Sequence, residues 1–482
     1  MKYIMQFSLL LVLFLCCSTS SINRPKLISK IQPVYPIEAQ ESGIEGKVEM
    51  NIRITESGNV DSVVVINSSG SELLDYSAKE YGYILKFEPI KPVDKAASTW
   101  TNWIVIFRAT GISDDGYIGK LWLAESETWI DDEYGHEITK WTSDSYKSWH
   151  LYFNIESFID DTTCIIYSNR TGGDNLYKLN LNDGSMLQMT NYPGKIKHTW
   201  HLQEYSQLYF EYETNIHVLN TVTLEDSKIL SFENFDLKSF TVTSDRKYIV
   251  YSINKNPGWD ENHSTGPFAI FRYEIATGEK KQISPDWGIS INHLQANPVN
   301  PNLIVYSWQH QYRTGGAGIV GNVPIRFWWI NVDGSDGGPV GPQEFGLHRT
   351  HEFWTYDGSR IGYSARYKFG EHKGRQFLGS CLPDGTDNFM IEVPVGPAHS
   401  QIYKANHHWV ADLNDGTILT MWTFNREKIL KEEKLFNHNS SWEGQPSHPH
   451  PHFSPDGKYV LFSTDKTGTP CVYTVKVNLD VN

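Results

Sequence analysis

The fold of this chain is decided by a short stretch, Leu303-Ile304-Val305-Tyr306-Ser307, because close variants of it recur along the sequence. An apolar run that ends in Tyr-Ser and is bounded by polar turns is typical of a buried β-strand. Successive copies are roughly 40 to 57 residues apart, which is close to the period of a four-stranded propeller blade. The other six copies are Ile165-Ile166-Tyr167-Ser168, Leu208-Tyr209-Phe210, Ile249-Val250-Tyr251-Ser252, Ile361-Gly362-Tyr363-Ser364, Ile418-Leu419-Thr420-Met421-Trp422 and Val460-Leu461-Phe462-Ser463. The sequence therefore predicts a mainly β protein with a seven-bladed β-propeller over residues 118–482.

The composition agrees with a mainly β fold. The 482 residues include 16 Trp, 26 Tyr and 22 Phe, and aromatic residues favour strands. The formal net charge is −14. This charge argues against nucleic acid or an anionic membrane surface as the main partner, because both require clustered Lys and Arg.

The N-terminus is typical of an exported protein. Lys2 provides a positive start, and the apolar run from Phe7 to Leu15 is too short to span a bilayer. We predict a signal peptide over residues 1–20 and a polar tether over residues 21–30. The run ends at Leu15-Cys16-Cys17-Ser18, which is similar to a lipoprotein cleavage box, so the only membrane contact expected is a lipid anchor. The predicted location is the periplasm or the outer membrane.

A small separate domain is predicted over residues 31–109. Met50-Asn51-Ile52-Arg53-Ile54 alternates with period two, Gly58-Asn59 indicates a turn, and the residues from about Glu72 to Leu85 favour a helix. The segment resembles the C-terminal domain of TonB and TolA-like proteins, which implies an α+β fold with a three-stranded sheet and one helix. The motifs that carry this resemblance are Pro33-Val34-Tyr35-Pro36, Gly43-Ile44-Glu45-Gly46, Ser68-Ser69-Gly70, Phe87-Glu88-Pro89 and Trp103-Ile104-Val105-Ile106-Phe107.

The role of this domain is left open between two possibilities. One is an edge strand that pairs with an extended peptide of an envelope protein partner. The other is an inert spacer or a domain that packs on its neighbour. Residues 110–117 are polar and read as the linker to the propeller.

Metal-binding side chains are concentrated in Gln445-Pro446-Ser447-His448-Pro449-His450-Pro451-His452. Alternate residues of an extended chain share one face, so His448 and His450 are expected to point the same way. Two imidazoles on one face can hold one ion. The alternative is a solvated His/Pro loop that binds metal only by accident.

Several further motifs are spread from about Trp129 to Val477. They are Gly135-His136-Glu137-Ile138-Thr139, the run from Ile325 to Ser335, Thr350-His351-Glu352-Phe353-Trp354, His438-Asn439-Ser440-Ser441-Trp442-Glu443 and the Gln445 to His450 stretch. With these motifs the region resembles oligogalacturonate lyase, the polysaccharide lyase family 22 propeller. That family cleaves short oligogalacturonides by β-elimination. Its divalent ion, typically manganese, is held by three histidines and a glutamine.

The resemblance implies a set of metal ligands. Gln445, His448 and His450 match three of them. The fourth is expected in Asn406-His407-His408-Trp409, where we choose His408 and keep His407 as the alternative. His438 and His452 are expected to be structural or to support a ligand.

The resemblance also implies the residues that act on the substrate. His351 matches the base, and Arg326 matches the active-site arginine, which also binds the substrate. His293 is a further candidate for the substrate cavity. Glu352 follows His351 directly, so strand alternation predicts that it points to the opposite face.

These residue types suit removal of the proton at C5 of a uronate. The reaction places negative charge beside a carboxylate, which a cation or an arginine must neutralise. A neutral imidazole can then take the proton, and the C4 oxygen is expelled. We therefore predict a metal-dependent lyase of oligogalacturonides or related short uronates, as in pectin breakdown. The alternative is a non-catalytic envelope propeller that binds sugars or scaffolds a protein complex through the TonB-like domain.

Overall fold

The structure is a computed structural model that describes residues 28, 33, 35–36, 39, 44, 46–89, 98–107, 117–232, 236–256, 267–309, 326–342, 344, 346–403, 407–413 and 417–479. They belong to two compact units, residues 1–109 and 110–482. The predicted signal peptide lies outside the described residues, as do most of the predicted tether and linker. No helix in the described part of the chain is long and apolar enough to cross a bilayer.

The described residues of the first unit include a three-stranded antiparallel sheet and a helix, as the sequence predicts. Its elements are β1 (Gly46–Thr55), β2 (Val60–Asn67), helix α1 (Glu72–Ile84) and β3 (Ser98–Phe107). The sheet order is β2-β1-β3. Alternate residues of β1 from Val48 to Ile54 are fully buried, and they form one core with Leu74 and Ala78 of the helix. The apolar side of the alternating strand thus packs against the apolar side of the helix.

The second unit contains seven antiparallel sheets among its described residues. The first sheet contains β4 (Leu121–Trp122), β7 (Ser148–His150), β8 (Thr163–Ser168), β9 (Asn175–Asn180) and β10 (Met186–Gln188). The second sheet contains β11 (Ile196–Leu202), β12 (Gln207–Tyr212), β13 (Asn215–Asn220) and β14 (Asp226–Ser231). The third sheet contains β15 (Asp236–Val242), β16 (Tyr248–Asn254), β17 (Phe268–Glu274) and β18 (Lys280–Gln282).

The next three sheets each have four strands in chain order. They are β19 (Ser290–Ala296), β20 (Leu303–Gln309), β21 (Phe327–Asn331) and β22 (Gly337–Pro339); β23 (Leu347–Trp354), β24 (Ile361–Tyr367), β25 (Gln376–Cys381) and β26 (Phe389–Val393); and β27 (Pro397–Ile402), β28 (His408–Leu413), β29 (Ile418–Phe424) and β30 (Ile429–Asn437).

The seventh sheet joins the two ends of the unit. It pairs β31 (His452–Phe453), β32 (Tyr459–Thr464) and β33 (Cys471–Lys476) with β6 (Glu137–Lys140) and β5 (Glu127–Ile130). Strands from the beginning and the end of the unit thereby share one ladder of hydrogen bonds.

Each sheet shares a buried core with the next one in the chain. The second and third sheets, for example, share Tyr209 and Tyr251, and the fourth and fifth share Val305 and Tyr363. The seventh sheet packs on the first, since Leu461 belongs to the same core as residues of β8 and β9. The described residues form seven such shared cores, and these link the sheets in a closed cycle.

One of the seven predicted repeats lies on a different strand from the other six. Those six fall on the second strand of their sheets, counted from β7 in the first sheet and from the first listed strand in the others. The stretch Ile418–Trp422 instead lies in β29, the third strand of its sheet. The second strand there is β28, which carries a buried polar residue, Asp412, and lacks the Tyr-Ser ending. The prediction was therefore one strand late in this sheet. His408 is the first residue of this second strand.

The turn at Gly58 gives a direct test of packing in the first unit. Gly58 and Gly70 both have left-handed backbone, with φ of 83° and 88°. A Cβ on Gly58 would lie 1.9 Å from the carbonyl oxygen of Phe87, but a Cβ on Gly70 would meet nothing within 4 Å. Left-handed backbone alone costs an alanine about 1–2 kcal/mol. We expect Gly58→Ala to lower the unfolding free energy of this unit well beyond the loss in Gly70→Ala.

Native-state hydrogen exchange of the β1 amides in the full chain measures this difference, because it reports the unfolding free energy of that unit alone. Equal losses in the two variants would contradict the packing described at Gly58.

Candidate functional site

Four histidines come from four consecutive sheets and meet in one place. His293, His351 and His399 lie on β19, β23 and β27, the first strands of their sheets. His450 lies two residues before β31, the first strand of the seventh sheet. The ring centres of His351 and His399 are 4.4 Å apart, and those of His399 and His450 are 4.2 Å apart.

Irregular backbone turns these histidines out of the regular strand pattern. The pairing of β19, β23 and β27 with the following strand shifts at Asn292/Gln295, Thr350/Phe353 and Pro397/Ser400, which marks a β-bulge in each. His293, His351 and His450 have left-handed backbone, with φ of 54°, 51° and 46°. Such backbone is unfavourable for a residue with a Cβ, and it is concentrated at functional sites. The bulges and the left-handed backbone therefore indicate that these histidines form a functional site.

Three histidines form a group that fits a metal ion. One ring nitrogen from each of His399, His448 and His450 lies within 4.8 Å of the others. His448 Nδ1 and His450 Nε2 are buried and make no hydrogen bond within the described protein. Burial lowers the pKa of His450 well below its ordinary value, which keeps the ring neutral, as a metal ligand must be. The group is therefore a candidate site for a divalent metal.

The structure places His399, and not His408, in this group. His408 begins β28, and its Nδ1 lies 3.1 Å from the hydroxyl of Thr423. His407 precedes that strand and is likewise outside the group. The physical reason is local: His399 lies in the bulge of β27 between Pro397 and Ser400, whereas His408 pairs regularly with β29. We therefore replace His408 by His399 in the proposed ligand set.

Gln445 lies at the start of a short 3₁₀ helix, Gln445–Ser447, and His448 directly follows the end of this helix. Its side chain is exposed. Its backbone carbonyl accepts a hydrogen bond from the His448 N–H at 3.2 Å. The ligand role of Gln445 remains a prediction. His438 and His452 are buried outside the group of three.

A buried carboxylate, Asp412, orients two histidines of the candidate metal site. It is fully buried and lies on β28 opposite the bulge of β27. Its oxygens accept hydrogen bonds from the His399 backbone N–H at 2.6 Å and the His450 backbone N–H at 3.1 Å. His399 Nδ1 lies 3.0 Å from Asp412 Oδ2, so Nδ1 carries the proton and Nε2 is the nitrogen left for a metal.

A second buried carboxylate, Glu352, connects the other site residues. It is 1% exposed, and its Oε1 accepts a hydrogen bond from Ser307. His293 Nδ1 lies 3.8 Å from Oε1, and Arg326 Nε lies 3.6 Å from Oε2. The alternation of side chains along a regular strand predicted that Glu352 points away from the site. The bulge between Thr350 and Phe353 breaks that alternation, since two residues there oppose one on β24.

Aromatic residues of one loop pack against the histidines. Tyr152 contacts His450 and His293 with ring distances of 4.7 and 6.0 Å. Phe153 is fully buried and contacts His399 and His351 at 5.2 and 6.0 Å. These rings exclude water from one side of the site. Burial lowers the pKa of His293 to about 4.

Sequence reasoning missed His399, Asp412, Glu352 and Tyr152. His399 in Ala398-His399-Ser400-Gln401 lies on the first strand of its sheet, as His351 does in its own sheet. An alignment of the seven repeats on their first strands would have found it. Asp412 and Glu352 carry no such signal, because their roles depend on bulge geometry.

Comparisons with known proteins match the two units separately. The family model described as Gram-negative bacterial TonB protein C-terminal matches residues 31–108. This match confirms the predicted TonB C-terminal-like domain.

The chain is also a homologue of oligogalacturonate lyases. The oligogalacturonide lyase of Pectobacterium atrosepticum is 25% identical over 385 residues, which cover 73% of this chain and 95% of that protein. The oligogalacturonate lyase of Dickeya dadantii is 24% identical over 397 residues, which cover 74% and 98%. A solved structure, an oligogalacturonate lyase in complex with manganese, has a TM-score of 0.67 at 21% identity and covers 75% of this chain and 98% of that chain.

The role of Asp412 can be tested through metal affinity. Asp412→Asn keeps the size of the side chain but removes the charge that fixes the His399 tautomer. Loss of such a partner typically lowers metal affinity about 10- to 100-fold. We expect a loss in this range for Mn²⁺, measured by isothermal titration calorimetry on the metal-free protein.

Asp245→Asn is the matched control, because Asp245 accepts hydrogen bonds in a surface turn. It should leave Mn²⁺ affinity unchanged. An unaltered affinity in Asp412→Asn would show that Asp412 does not orient a ligand.

Proposed function

We propose that this protein is a metal-dependent lyase that cleaves oligogalacturonides or related short uronates by β-elimination. The observation that carries the proposal is the meeting of His399, His448 and His450 within 4.8 Å, with the ring of His351 4.4 Å from His399. The homology to oligogalacturonate lyases over nearly their whole length supports it.

The ion would be held by His399, His448 and His450, with Gln445 as the predicted fourth ligand. We propose Mn²⁺, because the related lyase structure is a manganese complex. When bound, such a cation supplies positive charge to the carboxylate of the substrate. Neutral histidine ligands leave that charge undiminished.

His351 is the proposed base. Its Nδ1 is buried and makes no hydrogen bond within the described protein, so we assign the accepted C5 proton to this atom. Burial, and then the charges of His399 and Arg326, lower the pKa of His351 well below its ordinary value. The imidazole is therefore neutral at neutral pH and can accept a proton there.

Arg326 is the proposed partner of the substrate carboxylate. It is buried, and its guanidinium lies 3.6 Å from Glu352. The carboxylate of Glu352 balances the positive charge of Arg326. A guanidinium group can form a bidentate pair with a substrate carboxylate. Proton loss at C5 is then followed by expulsion of the C4 oxygen.

We propose that the seven sheets form a closed seven-bladed propeller. The cycle of seven shared cores and the pairing of β6 with β33 support this architecture. In it, the first strands line the central channel, which explains why three of them, and the segment just before a fourth, deliver a histidine to one place.

We further propose that the protein is exported to the periplasm or the outer membrane, where the TonB-like unit contacts an envelope protein. The match to the TonB C-terminal family supports an envelope setting. Strand β3 lies at an edge of its sheet and exposes Trp100 and Ile104. An extended peptide can pair with such an edge.

The lyase proposal is tested by absorbance of the unsaturated uronate product. Digalacturonate and trigalacturonate should give a rise with the Mn²⁺-loaded protein. His351→Ala should lower turnover about 10²- to 10⁴-fold while keeping its metal, because His351 is not in the ligand group. The base acts when deprotonated, so its lowered pKa should place the acid limb of the kcat/KM profile below about pH 6.5.

His408→Asn is the control, since His408 is a buried histidine outside the ligand group. It should keep both metal and activity. Arg326→Ala should raise KM as well as lower turnover. No absorbance change with any uronide, when metal is bound, would leave a non-catalytic sugar-binding propeller as the better interpretation.

The edge contact is tested by photo-crosslinking in cells. A photoreactive residue at Asn102, which is exposed on β3, should crosslink to one envelope protein, whereas one at Lys79, which is exposed on α1, should not. Equal crosslinking from both positions, or none from Asn102, would favour a spacer.

A further inference from the structure

A second cavity, of about 440 Å³, lies beyond the histidine site along the same first strands. Its lining includes Gln295, Phe353, Gln401 and His452, each of which follows one of the four site histidines by two residues. Phe153 also lines it, and the same ring contacts His399 and His351. The lining includes none of the residues proposed for the lyase reaction.

The cavity is negatively charged. Its described lining residues include the carboxylates of Glu156, Glu204 and Asp357 but neither Lys nor Arg. Glu156 Oε1 accepts a hydrogen bond from the Phe158 N–H at 2.8 Å and lies 3.1 Å from His452 Nε2. Burial acts to raise the pKa of Glu156, but the charge of His452 and the hydrogen bonds from His452 and the Phe158 N–H together lower it. A uronate would be repelled here, so this cavity does not serve as an extension of the lyase site.

Two hydrogen-bond acceptors at the cavity wall have no partner within the described protein. His201 is 7% exposed, and its Nδ1 lies 2.9 Å from the backbone carbonyl of Glu156. Nδ1 must therefore carry the proton, which leaves Nε2 as a buried acceptor without a hydrogen bond. Asn154 Oδ1 is a second such acceptor. Unmade hydrogen bonds at buried groups are unfavourable, so a ligand that donates here is stabilised.

Aromatic faces complete the cavity. Trp200, Trp354 and Tyr403 line it, and Tyr356 is exposed beside them. Such rings attract cations and stack on the apolar faces of sugars. The buried indole N–H of Trp200 also has no partner within the described protein, and it can donate to a hydroxyl oxygen.

We propose that this cavity binds a small organic ammonium ion that carries hydroxyl groups, the chemical class of a protonated amino sugar. The ammonium group donates to Glu156 and His201, and the ring lies against the tryptophans. This site is independent of the proposed lyase activity, because it shares no ligand-binding group with it.

The test compares three pyranoses that differ in charge, glucosamine, glucose and galacturonate, by isothermal titration calorimetry on the full chain at pH 7. Glucosamine should bind, and glucose should bind about tenfold more weakly or worse, since a hydrogen bond to a charged group is lost. Excess digalacturonate should not displace glucosamine. Equal binding of glucosamine and glucose, absence of glucosamine binding, or displacement by digalacturonate would overturn the proposal.

Substitutions test whether glucosamine binds in this cavity. Glu156→Gln should weaken glucosamine about tenfold, whereas His351→Ala, in the other site, should leave it unchanged. Because Glu156 also holds Phe158 and His452, Trp354→Leu provides a second variant, with folding checked by circular dichroism. Trp354→Leu should weaken glucosamine and glucose alike. Full binding in both cavity variants, or loss in His351→Ala, would refute the assignment to this cavity.

Discussion

The backbone bulge on the first strand of three successive sheets is the constraint on which the proposed site depends. A regular strand presents alternate residues to opposite faces, so neighbouring residues such as His351 and Glu352 could not both serve one site. The bulge places both there, at the cost of left-handed backbone at His351. The surrounding sheet stabilises this conformation, because the residues on either side of the bulge keep their pairing with β24.

Two buried carboxylates complement the histidines electrostatically. Asp412 faces the group of His399 and His450, and Glu352 faces Arg326 and His293. A buried anion is unfavourable unless hydrogen bonds and nearby positive charge compensate it. Glu352 has Arg326 and Ser307 for this purpose. Among the described residues, Asp412 accepts hydrogen bonds from His399 and His450, and the proposed cation would add positive charge.

The sequence predicts the general architecture better than the details of the site. Repeated apolar strands and the alternation of β1 follow directly from local patterns, so both units could be predicted. His448 and His450 are close in sequence and belong to one local motif, and the structure brings them together with a third histidine. The third histidine was assigned to His408 from the family resemblance alone, whereas the group that the structure brings together contains His399, which lies on the preceding strand. Glu352 and Asp412 contact residues that are distant from them in sequence, and these contacts depend on bulges. A bulge leaves no periodic signal in the sequence.

Anomalous X-ray diffraction from crystals loaded with Mn²⁺ tests the central claim most directly, because it locates the ion without reference to activity. The account predicts one strong peak within about 2.0–2.3 Å of a ring nitrogen of each of His399, His448 and His450, with His399 bound through Nε2 and its Nδ1 still on Asp412. A peak beside His408, or no peak among the three histidines, would contradict it.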